Sequence, residues 1–243
     1  MKENTNPGIQ LNKFISHCGI ASRRKAAEII KSGEVIVDGK VVTEPGYRVQ
    51  KNQEVKCRGK AIRPNRNYVY LLLNKPKNFI TTTEDDRGRK TVMDLIKQAT
   101  KERVYPVGRL DKNTVGLLLF TNDGELAEDL SHPSKKVKKI YHVFLNKPLT
   151  KIHFEQILKG LELEDGQIMV DDLAFPEPDD TSQVGIELHS GRNRIVRRIF
   201  ESLGYEIVKL DRVVYAGLTK KNLPRGKWRF LTKKELLLLR HFT

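Results

Sequence analysis

The chain has 243 residues, enough for one or two domains, and an apolar fraction of 38%, enough to bury a core. Lys and Arg total 45 against 30 Asp and Glu, a formal charge of +15 that favours nucleic acid over a membrane as the partner, since the sequence shows neither a basic amphipathic anchor nor an apolar run of the ~18 residues a span needs. Cys18 and Cys57 cannot build a disulfide framework, the six scattered histidines lack a metal site's spacing, and no phosphate-loop or dinucleotide glycine pattern occurs, so neither metal nor cofactor is expected.

Residues 1–8 are polar and read as a disordered tail, without the apolar segment of a secretory signal, which points to the cytoplasm. Leu11, Phe14, Ile15 and Cys18 then share one face of a helix that Gly19 can end. Ser22 suits the N-cap of a second helix with Ala26, Ala27, Ile29 and Ile30 inward, and Val35, Val37 and Val41 flank a tight Asp38-Gly39 turn. Arg23, Arg24 and Lys25 open the second helix at the end where its dipole disfavours cations, so the charges either grip phosphates or form a solvated basic face. Residues 11–42 resemble the S4 RNA-binding domain through Ser22-Arg23-Arg24 and Gly33-Glu34-Val35-Ile36-Val37-Asp38-Gly39. The resemblance implies that Arg23, Arg24 and Lys25 hold an RNA backbone, positioning rather than reading it. Residues 56–67, basic and without apolar period, read as a linker, with a domain boundary near residue 66.

Residues 68–73 read as a central strand broken by Asn74-Lys75-Pro76, and residues 81–90 as a polar loop with Arg87, Arg89 and Lys90. Thr91 can cap a helix through Val92, Leu95 and Ile96. Then comes the stretch that organises the rest, residues 105–124: Asp111 lies in a turn with Arg109 and Lys112 beside it, Gly108 and Gly116 on either side, and a buried strand, residues 117–120, behind it. A carboxylate in a loop on a stiff support is a candidate reactive group, although Asp is also an ordinary turn residue. Asp123 can cap a helix over residues 125–130. The basic run 134–139 enters a strand carrying Tyr141, which could equally be a core tyrosine. Asp179-Asp180 marks a loop and Val184, Ile186 and Leu188 a strand. From Gly191 to Gly204 a helical reading puts Ile195, Ile199 and Leu203 on one stripe and Arg194, Arg197 and Arg198 together on the other side, where a polyanion or a buried carboxylate would relieve their repulsion. Thr232 and Glu235 form a capping box for a last helix that packs Leu236, Leu237 and Leu239 on the core.

Gly108-Arg109-Leu110-Asp111, Thr114-x-Gly116-Leu117-Leu118 and Thr121-Asn122-Asp123-Gly124 resemble the signature of the RsuA/RluB/RluF family of ribosomal RNA pseudouridine synthases, and the likeness runs over residues 11–240. It implies an α+β chain: an S4-type RNA-binding domain with its linker over 9–66, and over 67–243 a catalytic domain built on a mixed, mostly antiparallel sheet with flanking helices. Asp111 takes the nucleophile's place, Tyr141 that of the tyrosine packing on the target base, and Arg197, with Arg194 as runner-up, that of the arginine pairing with the acid. Arg109, Lys139, Arg192, Arg194 and Arg198 join Arg23, Arg24 and Lys25 as expected RNA contacts. The implied activity is cofactor-free isomerisation of a uridine, more readily in 23S than in small-subunit rRNA, by a monomer that works on ribosomal RNA or a ribosomal precursor particle with no obligate protein partner. The rival readings are an S4-type RNA-binding or ribosome assembly factor without catalysis and, more remotely, a DNA-binding protein.

Overall fold

The computed structural model describes residues 8–65 and 67–242, which fall into two compact units dividing after Tyr68. Most of the expected tail and the expected boundary at residue 66 lie outside the described residues.

The first unit runs β1 (Ile9–Gln10), α1 (Leu11–His17), α2 (Arg23–Lys31), β2 (Val35–Val37), β3 (Lys40–Val41), β4 (Arg48–Val49), β5 (Val55–Cys57) and β6 (Lys60–Ile62). Its main sheet has the order β3-β2-β5-β6, and β1 pairs with β4. The Ser22 side chain accepts a hydrogen bond from Lys25 N, so α2 starts where its cap requires. Asp38 and Gly39 both take positive φ, 46° and 80°, the geometry of a tight hairpin turn between β2 and β3. Leu11, Ile15, Ile30 and Val35 are fully buried between helices and sheet. The stretch expected as a linker folds instead: β5 and β6 form a second hairpin through Arg58 (φ 51°) and Gly59 (φ 74°), and the Arg58 guanidinium pairs with Glu34 at 2.6 Å. Its apolar positions are too few and too small to show a period, so only the pairing with β2 reveals the strands.

The second unit runs β7 (Tyr70–Lys75), α3 (Val92–Ile96), β8 (Tyr105–Val107), β9 (Thr114–Thr121), α4 (Gly124–Ser131), β10 (Lys139–Leu145), α5 (Lys151–Lys159), β11 (Leu161–Leu163), β12 (Gly166–Ile168), β13 (Asp172–Ala174), β14 (Gln183–Leu188), α6 (Ile195–Glu201), β15 (Ile207–Tyr215), β16 (Leu218–Thr219), β17 (Trp228–Phe230) and α7 (Lys233–Leu239). The sheet follows the order β13-β14-β10-β15-β9-β7-β17, with β16 on β15 and β8 on β9. β9 and β15 run parallel, while its other named pairs are antiparallel. Strand β9 is buried on both faces: Leu117 and Leu119 pack with α4 and with Leu239 of α7, Leu118 and Phe120 with Val92 and Ile96 of α3. Ile195, Ile199 and Phe200 of α6 pack on Val143 of β10 and on Val184, Ile186 and Leu188 of β14.

Two expectations fail here. Asn74 and Lys75 do not break β7 but are its buried last residues. Leu237 is 61% exposed, because α7 turns only Leu239 fully inward.

Candidate active site

The loop from Gly108 to Asn113 leaves β8 and enters β9 with Asp111 exposed at its crest. Its backbone is pinned from beneath. Lys75 Nζ donates to the carbonyl oxygens of Asp111 (3.0 Å), Lys112 (3.3 Å), Thr114 (2.8 Å) and Pro76 (3.2 Å). Thr81 Oγ1 donates to Leu110 O at 2.7 Å and accepts from Leu110 N at 3.2 Å, and Asn78 N donates to Lys112 O at 2.9 Å. Asp111 is therefore held by its backbone, and its carboxylate makes no hydrogen bond or ion pair among the described residues. A free acid on a rigid mount is the arrangement a nucleophile needs, since no bond has to break before it reacts.

A cleft of about 200 Å³ opens beside it, lined among others by Asp111, Tyr141, Arg197, Arg212 and Tyr215. Tyr141 reaches it from β10 and Arg197 from α6. Arg197 feels the charge of Asp111 without forming a direct ion pair with it. Burial and the neighbouring Arg194 pull the Arg197 pKa below the ordinary arginine value, while Asp111 pulls it back up. The expected pairing is thus an attraction across the cleft rather than a bidentate bridge. Arg194 is not on the helix at all: it is the residue before α6, in the left-handed region at φ 48°, and its guanidinium reaches Glu201 at 3.3 Å. Of the two arginines expected to pair with the acid, Arg197 is the one without a carboxylate partner among the described residues.

The remaining expected RNA contacts divide. Arg109 and Arg192 are exposed at the cleft. Arg198 and Arg192 both lean on Asp165 in the turn between β11 and β12, with Arg198 Nη1 at 2.9 Å and Arg192 Nη1 at 3.5 Å, so these two arginines reach RNA only in competition with a carboxylate. Lys139 lines the cleft, but its ammonium points at the carbonyl oxygens of Val137 and His189, both at 3.1 Å. It ties the start of β10 to the segment before α6 and is a brace rather than a phosphate grip. In the first unit Arg23, Arg24 and Lys25 are all exposed in the first turn of α2; Arg23 donates to Gln10 and Lys25 pairs with Glu28.

Lys75 is the residue that sequence reasoning missed, because a lysine before a proline reads as a strand end. Burial pulls its ammonium from the usual 10.5 down to about 8, against the attraction of Asp111 and with help from Arg225. Deprotonation removes a donor from the carbonyl cage, so kcat is expected to fall on the alkaline side with an apparent pKa near 8. A lysine whose pKa is lower folded than unfolded adds stability as pH rises between about 8 and 10.5. The loss of rate should therefore come without a loss of melting temperature over the same range, as parallel kinetics and thermal melts can show; a melt that falls in step with kcat would contradict it.

The sheet behind the cleft is locked by a polar cluster. Asp211 accepts from Arg225 at 2.6 Å and Lys220 at 2.8 Å, and Arg225 also donates to Asn74 at 2.6 Å. Burial pushes the Asp211 carboxyl up, but these two cations outweigh it and hold it below the usual carboxylate range.

Comparison with known proteins agrees over both units. Residues 69–202 match the RNA pseudouridylate synthase family model and residues 10–55 match the S4 domain. The chain is 42% identical over 234 residues to ribosomal large subunit pseudouridine synthase B of Bacillus subtilis (strain 168), covering 95% of each protein. It is 38% identical over 234 residues to an uncharacterized RNA pseudouridine synthase of Aquifex aeolicus (strain VF5), covering 95% of this chain and 93% of that one. A crystal structure of a pseudouridylate synthase superposes with a TM-score of 0.68 at 24% identity, over 96% of this chain and all of the other, and so shares the fold.

Proposed function

The chain belongs to the RNA pseudouridylate synthase family, and from that membership we propose that it converts a uridine of large-subunit ribosomal RNA to pseudouridine, with Asp111 as the nucleophile. The large-subunit target follows the name of the Bacillus relative. The observation that carries the reading is one cleft holding an unpaired carboxylate, an aromatic ring and a guanidinium: Asp111, Tyr141 and Arg197.

The reaction breaks the N1–C1′ bond, turns the detached uracil and joins C5 to C1′. It changes no oxidation state and adds no group, so a carboxylate and a way to hold the base suffice, without a cofactor. Asp111 takes C1′ as N1 leaves, Arg197 attracts and orients the acid from across the cleft, and the Tyr141 ring holds the loose base by stacking. The uridine must first leave its helix, which costs a few kcal/mol. Phosphate contacts at Arg109 and, in competition with Glu201, at Arg194 by the cleft, and at Arg23, Arg24 and Lys25 of the S4 domain, offset that expense. The enzyme works as a cytoplasmic monomer on ribosomal RNA or a precursor particle. Among the described residues no helix is long and apolar enough to cross a membrane.

The S4 contribution is testable by itself. Arg24 is exposed and its side chain has no partner among the described residues, so Arg24→Ala should weaken RNA binding and reduce the slope of log affinity against log salt by about 1. An unchanged slope in a filter-binding titration would remove Arg24 from the interface. The reaction itself is tested by tritium release from an unmodified large-subunit rRNA transcript carrying 5-tritiated uridine, since forming the C5–C1′ bond expels the C5 hydrogen.

A further inference from the structure

Arg212 is the most deeply buried guanidinium of the cleft, 3% exposed, and it is not matched with an acid among the described residues. Its Nε donates to Leu117 O at 2.8 Å, while Nη2 is buried without a partner among the described residues. Its neighbour in the chain, Asp211, points to the other face of β15 and is taken by Lys220 and Arg225. The Arg212 guanidinium lies over the Tyr215 ring at 4.4 Å, and its strand position is in register with Gly116 on one side and Tyr141 on the other. A brace between strands would need only a neutral donor for Leu117 O. A desolvated charge with an unmet donor is costly unless something anionic arrives.

Two anions come to this cleft, the phosphates of the RNA and the uracil once it is detached. Phosphates belong with the exposed cations, Arg109 and Arg194. A base stacked on Tyr141 instead turns an edge toward the next strand, where Arg212 lies. We propose that Arg212 is a further catalytic residue, whose guanidinium, where it borders the cleft, donates to a carbonyl oxygen of the detached uracil and holds its negative charge. The proposal rests on the reading of this cleft as a pseudouridine synthase site.

The charge balances as follows. When the N1–C1′ bond breaks, its electron pair leaves with N1, the Asp111 carboxylate bonds to C1′, and the negative charge passes from the acid to the uracil, shared by N1 and the carbonyl oxygens. When C5 attacks C1′ the charge returns to Asp111, the C5 proton is lost and N1 gains one. Arg212 therefore meets a neutral base in the ground state and an anion during the reaction, so it lowers the barrier with little effect on substrate binding.

The test is tritium release from the large-subunit transcript by the wild-type enzyme and by Arg212→Met and Arg212→Lys, with RNA affinity and melting temperature measured beside it. Arg212→Met should lower kcat by about a hundredfold or more, leave KM and the salt slope unchanged, and melt no lower than wild type because a buried unpaired charge is gone. Arg212→Lys should recover part of kcat. The inference is overturned if the Met variant turns over like wild type, if the Lys variant is no better than the Met variant, if the loss falls on RNA affinity and its salt slope, as a phosphate contact would have it, or if the Met variant melts far lower, as a structural brace would. An inactive wild type on this transcript would overturn the proposed function and the inference with it, whereas an active wild type with an equally active Met variant defeats the inference alone.

Discussion

Replacing Asp111 by Asn is expected to lower kcat by about four orders of magnitude or more while leaving folding and RNA binding close to wild type. The substitution keeps the shape and removes the charge. Nothing in the fold depends on that charge: the carboxylate is exposed, and the loop is fastened through backbone atoms by Lys75, Thr81 and Asn78. Arg109 and the S4 arginines are untouched, so the complex with RNA still forms. Single-turnover tritium release, with a binding titration on the same preparation, separates the two effects, and a variant that binds and still turns over would remove Asp111 from the chemistry.

Gly116→Ala is expected to have the largest effect on stability. Gly116 sits within β9 at φ +108°, and an added Cβ would press on Arg212 O and lie 2.6 Å from both Arg212 N and Asp211 Oδ1. Relief would need β15 to move away, which breaks its parallel pairing with β9 and disturbs the Asp211 cluster together. Strain and lost pairing amount to about 4 kcal/mol or more, a fall in melting temperature of roughly 10 °C. Gly108→Ala is the control: at φ +70° with nothing near its Cβ, it should lose only the backbone term of about 1 to 2 kcal/mol. Equal melting curves for the two variants would mean that the close approach at Gly116 is relieved without cost.

The helix starts at Ser22, Asp123 and Thr232 could be read from the chain, because a cap is local: a side chain meets an amide three residues on. The same holds for the Asp38-Gly39 turn and for β14, whose alternation follows its burial. Gly116 could be flagged, but only as a glycine that lets the chain turn; its real constraint is the backbone of β15, far away in sequence. The meeting of Asp111, Tyr141 and Arg197 at one cleft was legible to the extent that a family motif carried it. Lys75, Asp165 and Arg212 were not, since each is defined by a partner on another element: the carbonyl oxygens below the Asp111 loop, the two arginines near α6, and the row of strands flanking Tyr141. Arg194 failed differently. Its left-handed backbone ends the helical pattern one residue before α6 begins, and no periodicity reports that.

The most direct measurement is a map of pseudouridines in large-subunit ribosomal RNA from cells with the gene, without it, and without it but supplied with the wild-type or the Asp111→Asn protein. Loss of a pseudouridine on deletion, restored by the wild-type protein and not by the Asn variant, is the expected result. A map that is the same in all four, or one that the Asn variant restores, would contradict the account.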